Sequence, residues 1–394
     1  MKPRRAAKSR ATCLFYLASL AVALGACKKK NVTPKADPLP IAPASVAFVT
    51  NNGSDTIAAI DRDGTAVVMR SVDVDPSAHE APHHLAVDSA GHVFVALAFP
   101  PEDAPTQGKH AGHGGSDSLG QLLRLDARSL GVEISHDVDQ NPGDVVLTHD
   151  GKRVLVTHFD MRRAMREAKA GAATSKMYAR LLVLDARSLD EIAARPVCVA
   201  PHGIAVAESD ALAAIACYGS DEIALVDLAS PDLPVTHVPI ATGAGVPGAP
   251  RFGPYSVAIA KDQRRALVSD MESDDVRVLD LGKREFEDIV VPLGARAMMP
   301  DFVAAEEALV PLQSPDGLAR VALDGTVKRR VSFGAECKNP HVARIAPDGR
   351  AYVVCEGDHV APGAVIQVDP TTLAVEKRWV VGVYPDGIAF GGGG

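Results

Sequence analysis

The sequence predicts an all-β fold built from seven short four-stranded antiparallel sheets, and three observations carry that expectation. One phrase of short apolar runs recurs along residues 46–390. Each full copy opens with Pro and one further residue, and turn-forming residues separate the runs. No amphipathic segments of roughly 10–15 residues alternate with the runs, which argues against a parallel α/β sheet. The 394 residues are 47% apolar, enough to bury a sizeable core, although aromatic residues make up only 4%.

The Pro-led openings are PHHLAV (82–87), PGDVVL (142–147), PHGIAV (201–206), PYSVAI (254–259), PDFVAA (300–305), PHVARI (340–345) and PDGIAF (385–390). Second runs follow as FVTN (48–51), FVAL (94–97), LVTH (155–158), AIAC (214–217), LVSD (267–270), LVPL (309–312) and YVVC (352–355). Third runs close on Asp61, Asp126, Asp185, Asp227, Asp280 and Asp369, with Asp324 displaced in the remaining copy. Fourth runs such as IVVP (289–292) and RWVV (378–381) complete the phrase. Each phrase supplies four strands, A to D, of one antiparallel sheet.

HDGK (149–152) and PDGR (347–350) read as A–B hairpin turns, with Gly taking the positive φ the loop requires. The Asp that ends strand C is expected to cap the C–D turn through its carboxylate. The first copy begins at strand B and the last opening (385–390) is a lone strand A. That strand must complete the first sheet and leave no free edge. The fold class is therefore a seven-bladed β-propeller of four-stranded antiparallel blades, its ring closed by a C-terminal strand A in the first blade. Phe48-Val49-Thr50-Asn51 followed by DTIAAID (55–61) resembles the YVTN family of β-propeller repeats. The likeness covers nearly all of 46–390, and the blade at 300–324 is its poorest copy.

The start of the chain reads as an address. Lys2, Arg4, Arg5, Lys8 and Arg10 precede the apolar stretch 14–26. Thirteen helical residues span about 20 Å, short of a bilayer core of roughly 30 Å, so the segment reads as a signal peptide. Leu24-Gly25-Ala26-Cys27 resembles the lipobox of bacterial lipoproteins. That resemblance implies cleavage before Cys27, acylation of Cys27 and a membrane held through lipid chains alone. Lys28 after the cysteine favours the outer membrane, facing the periplasm or the cell surface. The expected organisation is signal peptide 1–26, lipidated Cys27 with a polar Pro-rich tether to residue 45, propeller 46–390 and flexible tail 391–394.

The formal charge is −8, and losing the five positive charges of the first 26 residues leaves −13 on the mature chain. So acidic a protein is not expected to bind nucleic acid. Four cysteines remain after Cys13 and Cys27. Cys198 and Cys337 each stand three residues before a Pro, and Cys217 and Cys355 end strand B of the same blades. A hairpin brings these positions together, so Cys198–Cys217 and Cys337–Cys355 are the expected disulfides of an oxidising compartment. No Cys-x-x-Cys-His occurs, which excludes covalent c-type haem.

The residue after each Pro is expected at the channel mouth: His83, Gly143, His202, Tyr255, Asp301, His341 and Asp386. Ring closure would make Asp301, His341, Asp386 and His83 an arc of carboxylates and imidazoles. Such an arc suits a divalent metal such as Zn²⁺, or acid–base work on a ligand, and is equally what a solvated polar mouth would contain. Both long insertions fall between strands B and C on this face. Residues 99–120 are Pro/Gly-rich and carry His110 and His113. Residues 161–180 begin as a helix with Met161, Met165 and Ala168 on one stripe, and their +5 charge suits an anionic ligand or acidic partner.

Three functions follow as expectations. The first is a monomeric, non-catalytic binding or scaffold lipoprotein for an envelope protein, glycan or small anionic ligand, with no cofactor required. The second comes from the resemblance: related seven-bladed propellers include sugar-lactone hydrolases. It would make His83, His202 or His341 a base partnered by Asp301 or Asp386. The third is metal or redox handling through His83, Asp301, His341 and Asp386.

Overall fold

Apolar runs of five to seven residues cannot bury both faces within one hairpin. They do so when twisted sheets pack face to face around an axis. The computed structural model describes residues 36–75, 77–101, 115–243 and 245–391. The expected signal peptide, Cys27, His110 and His113 lie outside the described residues. Seven antiparallel sheets form a ring of blades, each with strand A innermost. The first blade is Pro385–Phe390, Val46–Asn51, Thr56–Asp61 and Val67–Ser71, in the order A to D. Its strand A comes from the end of the chain and pairs antiparallel with strand B, for example Phe48 opposite Ala389. Strands A of successive blades then neighbour one another round the ring and back to Pro385–Phe390. Among the described residues no helix is long and apolar enough to cross a membrane.

The core lies between blades. Leu155, Leu181 and Val183 of the third blade meet Ile204, Ile215 and Ala224 of the fourth, all buried. The Asp ending strand C caps its turn as expected: Asp126 accepts from the Arg128 amide, Asp280 from Gly282 and Lys283, and Asp369 from Thr371 and Thr372. A second recurrent device sits at the mouth. The residue before the opening Pro is left-handed in six blades: Ala81, Asn141, Ala200, Gly253, Asn339 and Tyr384, with φ between 47° and 61°. Such a residue lets the chain reverse from strand D into the channel-lining strand A.

Both disulfides form, Cys198–Cys217 with Cα atoms 5.8 Å apart and Cys337–Cys355 with 5.1 Å. They join the chain entering strand A to the end of strand B and fit an oxidising, exported compartment.

Four local expectations change. Strand A of the sixth blade is split into Arg296–Ala297 and Asp301–Phe302. Ala297 faces Leu312 and Asp301 faces Leu309, so the strand enters at Ala297 and not at Pro300. The helix Met161–Lys169 buries Met161 and Ala164, while Met165 is exposed; its apolar stripe runs i, i+3, i+7. Residues 36–45 are not wholly a tether, because Leu39 and Ile41 join the apolar cluster of the first two blades. Of the expected tail, Gly391 still donates to the Val46 carbonyl, and 392–394 lie outside the described residues.

Candidate functional site

In six of the seven blades strand A begins with a β-bulge, seen as the register shift between Pro82 and Leu85 and between Pro201 and Ile204. A bulge sets two residues against one and re-aims their side chains. In the second blade both residues after the Pro, His83 and His84, therefore enter the channel interior. His83, His84 and His202 are 2%, 3% and 0% exposed, so the mouth is no solvated rim. Their rings pack edge to face, with centroids 4.3 Å apart for His83 and His84 and 5.4 Å for His84 and His202.

Strand B of the neighbouring blade holds the backbone beneath these rings. Thr50 Oγ1 donates to the His83 carbonyl, and Thr157 Oγ1 donates to the His202 carbonyl at 2.6 Å. The threonines of the FVTN and LVTH runs thus position imidazoles one blade on. Gly143 makes room: a Cβ there would lie 3.0 Å from the Pro201 carbonyl oxygen.

Carboxylates buttress the imidazoles from the side. His83 Nδ1 meets Asp386 Oδ2, and His341 Nδ1 lies 2.8 Å from Asp386 Oδ1 and 3.0 Å from Glu356 Oε1. Glu356 Oε2 in turn receives His359 Nε2 at 2.8 Å. His84 Nδ1 lies 3.5 Å from Asp144 Oδ1, while Asp144 Oδ2 accepts the Ile204 amide. The charges sort accordingly. Burial works against a protonated His341, yet Glu356 and Asp386 lift it to about 10. Glu356 is held at about 2 against its own burial by the charge and hydrogen bond of His341. Asp386 also stays ionised despite burial, through His83 first and then His341. His84 stands apart: burial, then the electrostatic influence of the adjoining His83, keep it well below its ordinary value and neutral. Its Nε2 is buried with no hydrogen-bond partner among the described residues.

Two groups in this core have metal-ligand spacing: His83, His84 and His202, and His84, His341 and Asp386. Within each group one ligand atom per residue lies within 4.8 Å of the others. Two nitrogens bound tetrahedrally to one zinc stand about 3.4 Å apart, so small ring rotations would close either set. The first group is made of imidazoles alone, the donor type that zinc, copper and nickel share, and so is the better donor set. An aromatic roof covers it. Tyr255 stacks on His202 at 4.0 Å and its hydroxyl lies 3.1 Å from His341 Nε2. Phe159 stands edge-on to His202 at 5.3 Å, and Met161 and Ala164 of the helix pack in the same apolar cluster.

Of the residues expected at the mouth, His83, His202, Tyr255, His341 and Asp386 come together and Asp301 does not. Its corrected register places it level with Ala86, Ala258 and Arg344 toward the opposite end of strand A. There it lines a separate cavity of about 330 Å³ with Arg344 and Lys261. Asp301 accepts the Phe302 and Ile345 amides, so it is a buttress of strand A. His84, Asp144 and Glu356 escaped sequence reasoning. Strict period-2 alternation turns the second residue after Pro away from the channel, and only the bulge reverses that. The repeated Pro-x-x start with polar pairs His83-His84 and Gly143-Asp144 was the available signal.

The sequence matches no family model and no curated protein. Solved structures of the same shape exist. A functionally unknown protein from Desulfotomaculum acetoxidans superposes with a TM-score of 0.63 at 11% identity, covering 88% of this chain and 98% of its own. A periplasmic gluconolactonase from Pseudomonas aeruginosa gives 0.60 at 18% identity, with 88% and 98% covered. A putative 6-phosphogluconolactonase from Bacteroides uniformis gives 0.62 at 14%, with 88% and 99% covered. At these identities the likeness is one of fold.

Proposed function

We propose that this protein is an exported propeller that holds a divalent transition metal, zinc or a metal of similar preference, on His83, His84 and His202. The observation carrying this reading is the convergence of three buried imidazoles whose ligand atoms stand within 4.8 Å of one another. Neutral imidazole suits zinc, copper and nickel, and a buried neutral His84 needs no proton displaced before it binds. Asp386 against His83 and Asp144 against His84 are carboxylates of the kind that orient metal-bound imidazoles. They also supply buried negative charge to offset the cation. The chain reaches its compartment through the signal peptide and is held there by lipid on Cys27, so the site faces the envelope.

Metal analysis of the purified full chain tests the reading. One equivalent per chain is expected, lost in His84→Ala and His202→Ala variants that keep the wild-type melting profile. A protein with no metal after exposure to zinc, copper and nickel, or one whose variants retain it, overturns the reading.

A second reading, lactone hydrolysis, draws on the buried Asp386–imidazole pairs and on the gluconolactonase fold likeness. In it the His83–Asp386 pair would supply general-base chemistry. Turnover of a panel of aldonolactones, abolished by His83→Ala, would favour this reading over simple metal holding.

A further inference from the structure

Beside the helix Met161–Lys169 the same face carries a cavity of about 410 Å³ that the channel site does not use. Its wall includes His158, Asp160, Arg163, Ser175, Lys176 and Tyr178. The volume falls in the range of small-ligand pockets, roughly 300–1,000 Å³.

His158 ends strand B of the third blade and is 1% exposed. Its Nδ1 donates to the Arg180 carbonyl at 2.7 Å, which fixes the proton on that nitrogen. Nε2 of the neutral ring is then a lone-pair acceptor, buried and without a hydrogen-bond partner among the described residues. Burial lowers the pKa of this ring and keeps the acceptor form. A buried acceptor left without a donor is unfavourable, so a donor is expected to meet it.

The cations divide into spent and available. Arg180 is fully engaged, with two bonds of 2.7 Å to Asp139. Arg163 donates through Nη2 to the Lys176 carbonyl, which pins its guanidinium at the cavity wall. Neither Arg163 nor Lys176 has an ion-pair partner among the described residues, whereas Arg162 and Arg166 both reach Asp117. Asp160 is occupied in capping the helix through the Arg163 amide. Two cations, Arg163 and Lys176, thus share the wall of a small cavity with the capping Asp160 and the Arg180–Asp139 pair.

We propose that this cavity binds a small hydroxylated anion, a hydroxy-carboxylate or hydroxy-phosphate. Its hydroxyl donates to His158 Nε2 and its oxyanion sits between Arg163 and Lys176. The arrangement discriminates twice: an uncharged polyol loses the ion pairs, and a simple anion leaves His158 unmet.

Isothermal titration of the purified full chain tests this, using gluconate and glucose 6-phosphate against glucose, acetate and inorganic phosphate. Saturable one-to-one binding is expected for gluconate or glucose 6-phosphate, and which of the two binds identifies the oxyanion. Glucose, acetate and inorganic phosphate should bind at least tenfold more weakly. Lys176→Ala and Arg163→Gln should each cut affinity at least tenfold, and His158→Phe should bring gluconate down to the level of acetate. Thermal melts confirm that each variant folds, and chelator treatment or His84→Ala should leave binding unchanged, which separates this site from the metal site. No saturable binding of either hydroxylated anion overturns the proposal. So do variants that bind like wild type, or simple anions that bind as tightly as the hydroxylated ones.

Discussion

Replacing Glu356 with Gln removes one of the two carboxylates that charge His341 while keeping nearly the same shape. Lifting an imidazole from 6.5 to about 10 corresponds to about 5 kcal/mol of preference for its charged form. Glu356 and Asp386 share that effect, so the variant should lose about 2–3 kcal/mol, comparable to breaking other buried pairs. For some 350 folded residues the unfolding entropy is about 0.7 kcal/mol per kelvin, which converts the loss to about 3–4 °C in Tm. The pH dependence separates charge from packing. His341 is raised in the folded protein, so its contribution is complete below 6.5 and disappears as pH rises through about 10. Glu356 is lowered to about 2, so its contribution is complete above 4.5 and disappears as pH falls towards 2. Thermal melts of wild type and Glu356→Gln should therefore differ most between pH 4.5 and 6.5. The gap should close by about pH 10.5. An equal gap at pH 5.5 and 10.5 would refute the charge argument and leave a packing defect.

Cys198→Ser with Cys217→Ser opens a loop of sequence separation 19 and should cost about 3 kcal/mol, or about 4–5 °C, read by the same melts. Thr157→Val removes a bond to the His202 carbonyl and another from the Asp144 amide. It should cost about 1–3 kcal/mol in urea titration and weaken metal binding about tenfold, through His202 and through Asp144 beside His84. Deleting residues 385–394 exposes strand Val46–Asn51 as a free edge. Size-exclusion chromatography should show the variant shifted to aggregate relative to the wild type, since an unpaired edge templates association.

The ring was legible because propeller blades repeat: the Pro-led opening of strand A, the short apolar run of strand B and the Asp at the end of strand C recur along the chain. Repetition also explains the disulfides, whose cysteines occupy equivalent positions in two blades. It misled where a copy is irregular. Pro300-Asp301 looks like Pro82-His83, yet Met298, Met299 and Pro300 lie in the gap that splits strand A, so Asp301 lies towards its far end. No local rule reveals that split; it depends on which residues of Glu307–Gln313 find partners.

The site was half legible for a different reason. His83, His202, His341 and Asp386 follow from counting after Pro. His84 and Asp144 depend on the bulge, and Glu356 on a loop that returns to the channel after Cys355. Burial was misjudged as well. A polar mouth was expected, but Phe159, Tyr255 and the helix Met161–Lys169 roof the imidazoles, and desolvation gives His84 its neutrality. The 161–180 insertion announced its helix and its charge, not the direction in which the stripe would face.

Anomalous diffraction from crystals of the protein grown with zinc, collected above and below the zinc edge, tests the central claim most directly. One strong peak per chain is expected inside the channel, about 2.0–2.1 Å from a nitrogen of each of His83, His84 and His202. An empty channel core, or zinc bound only at surface residues, would contradict it.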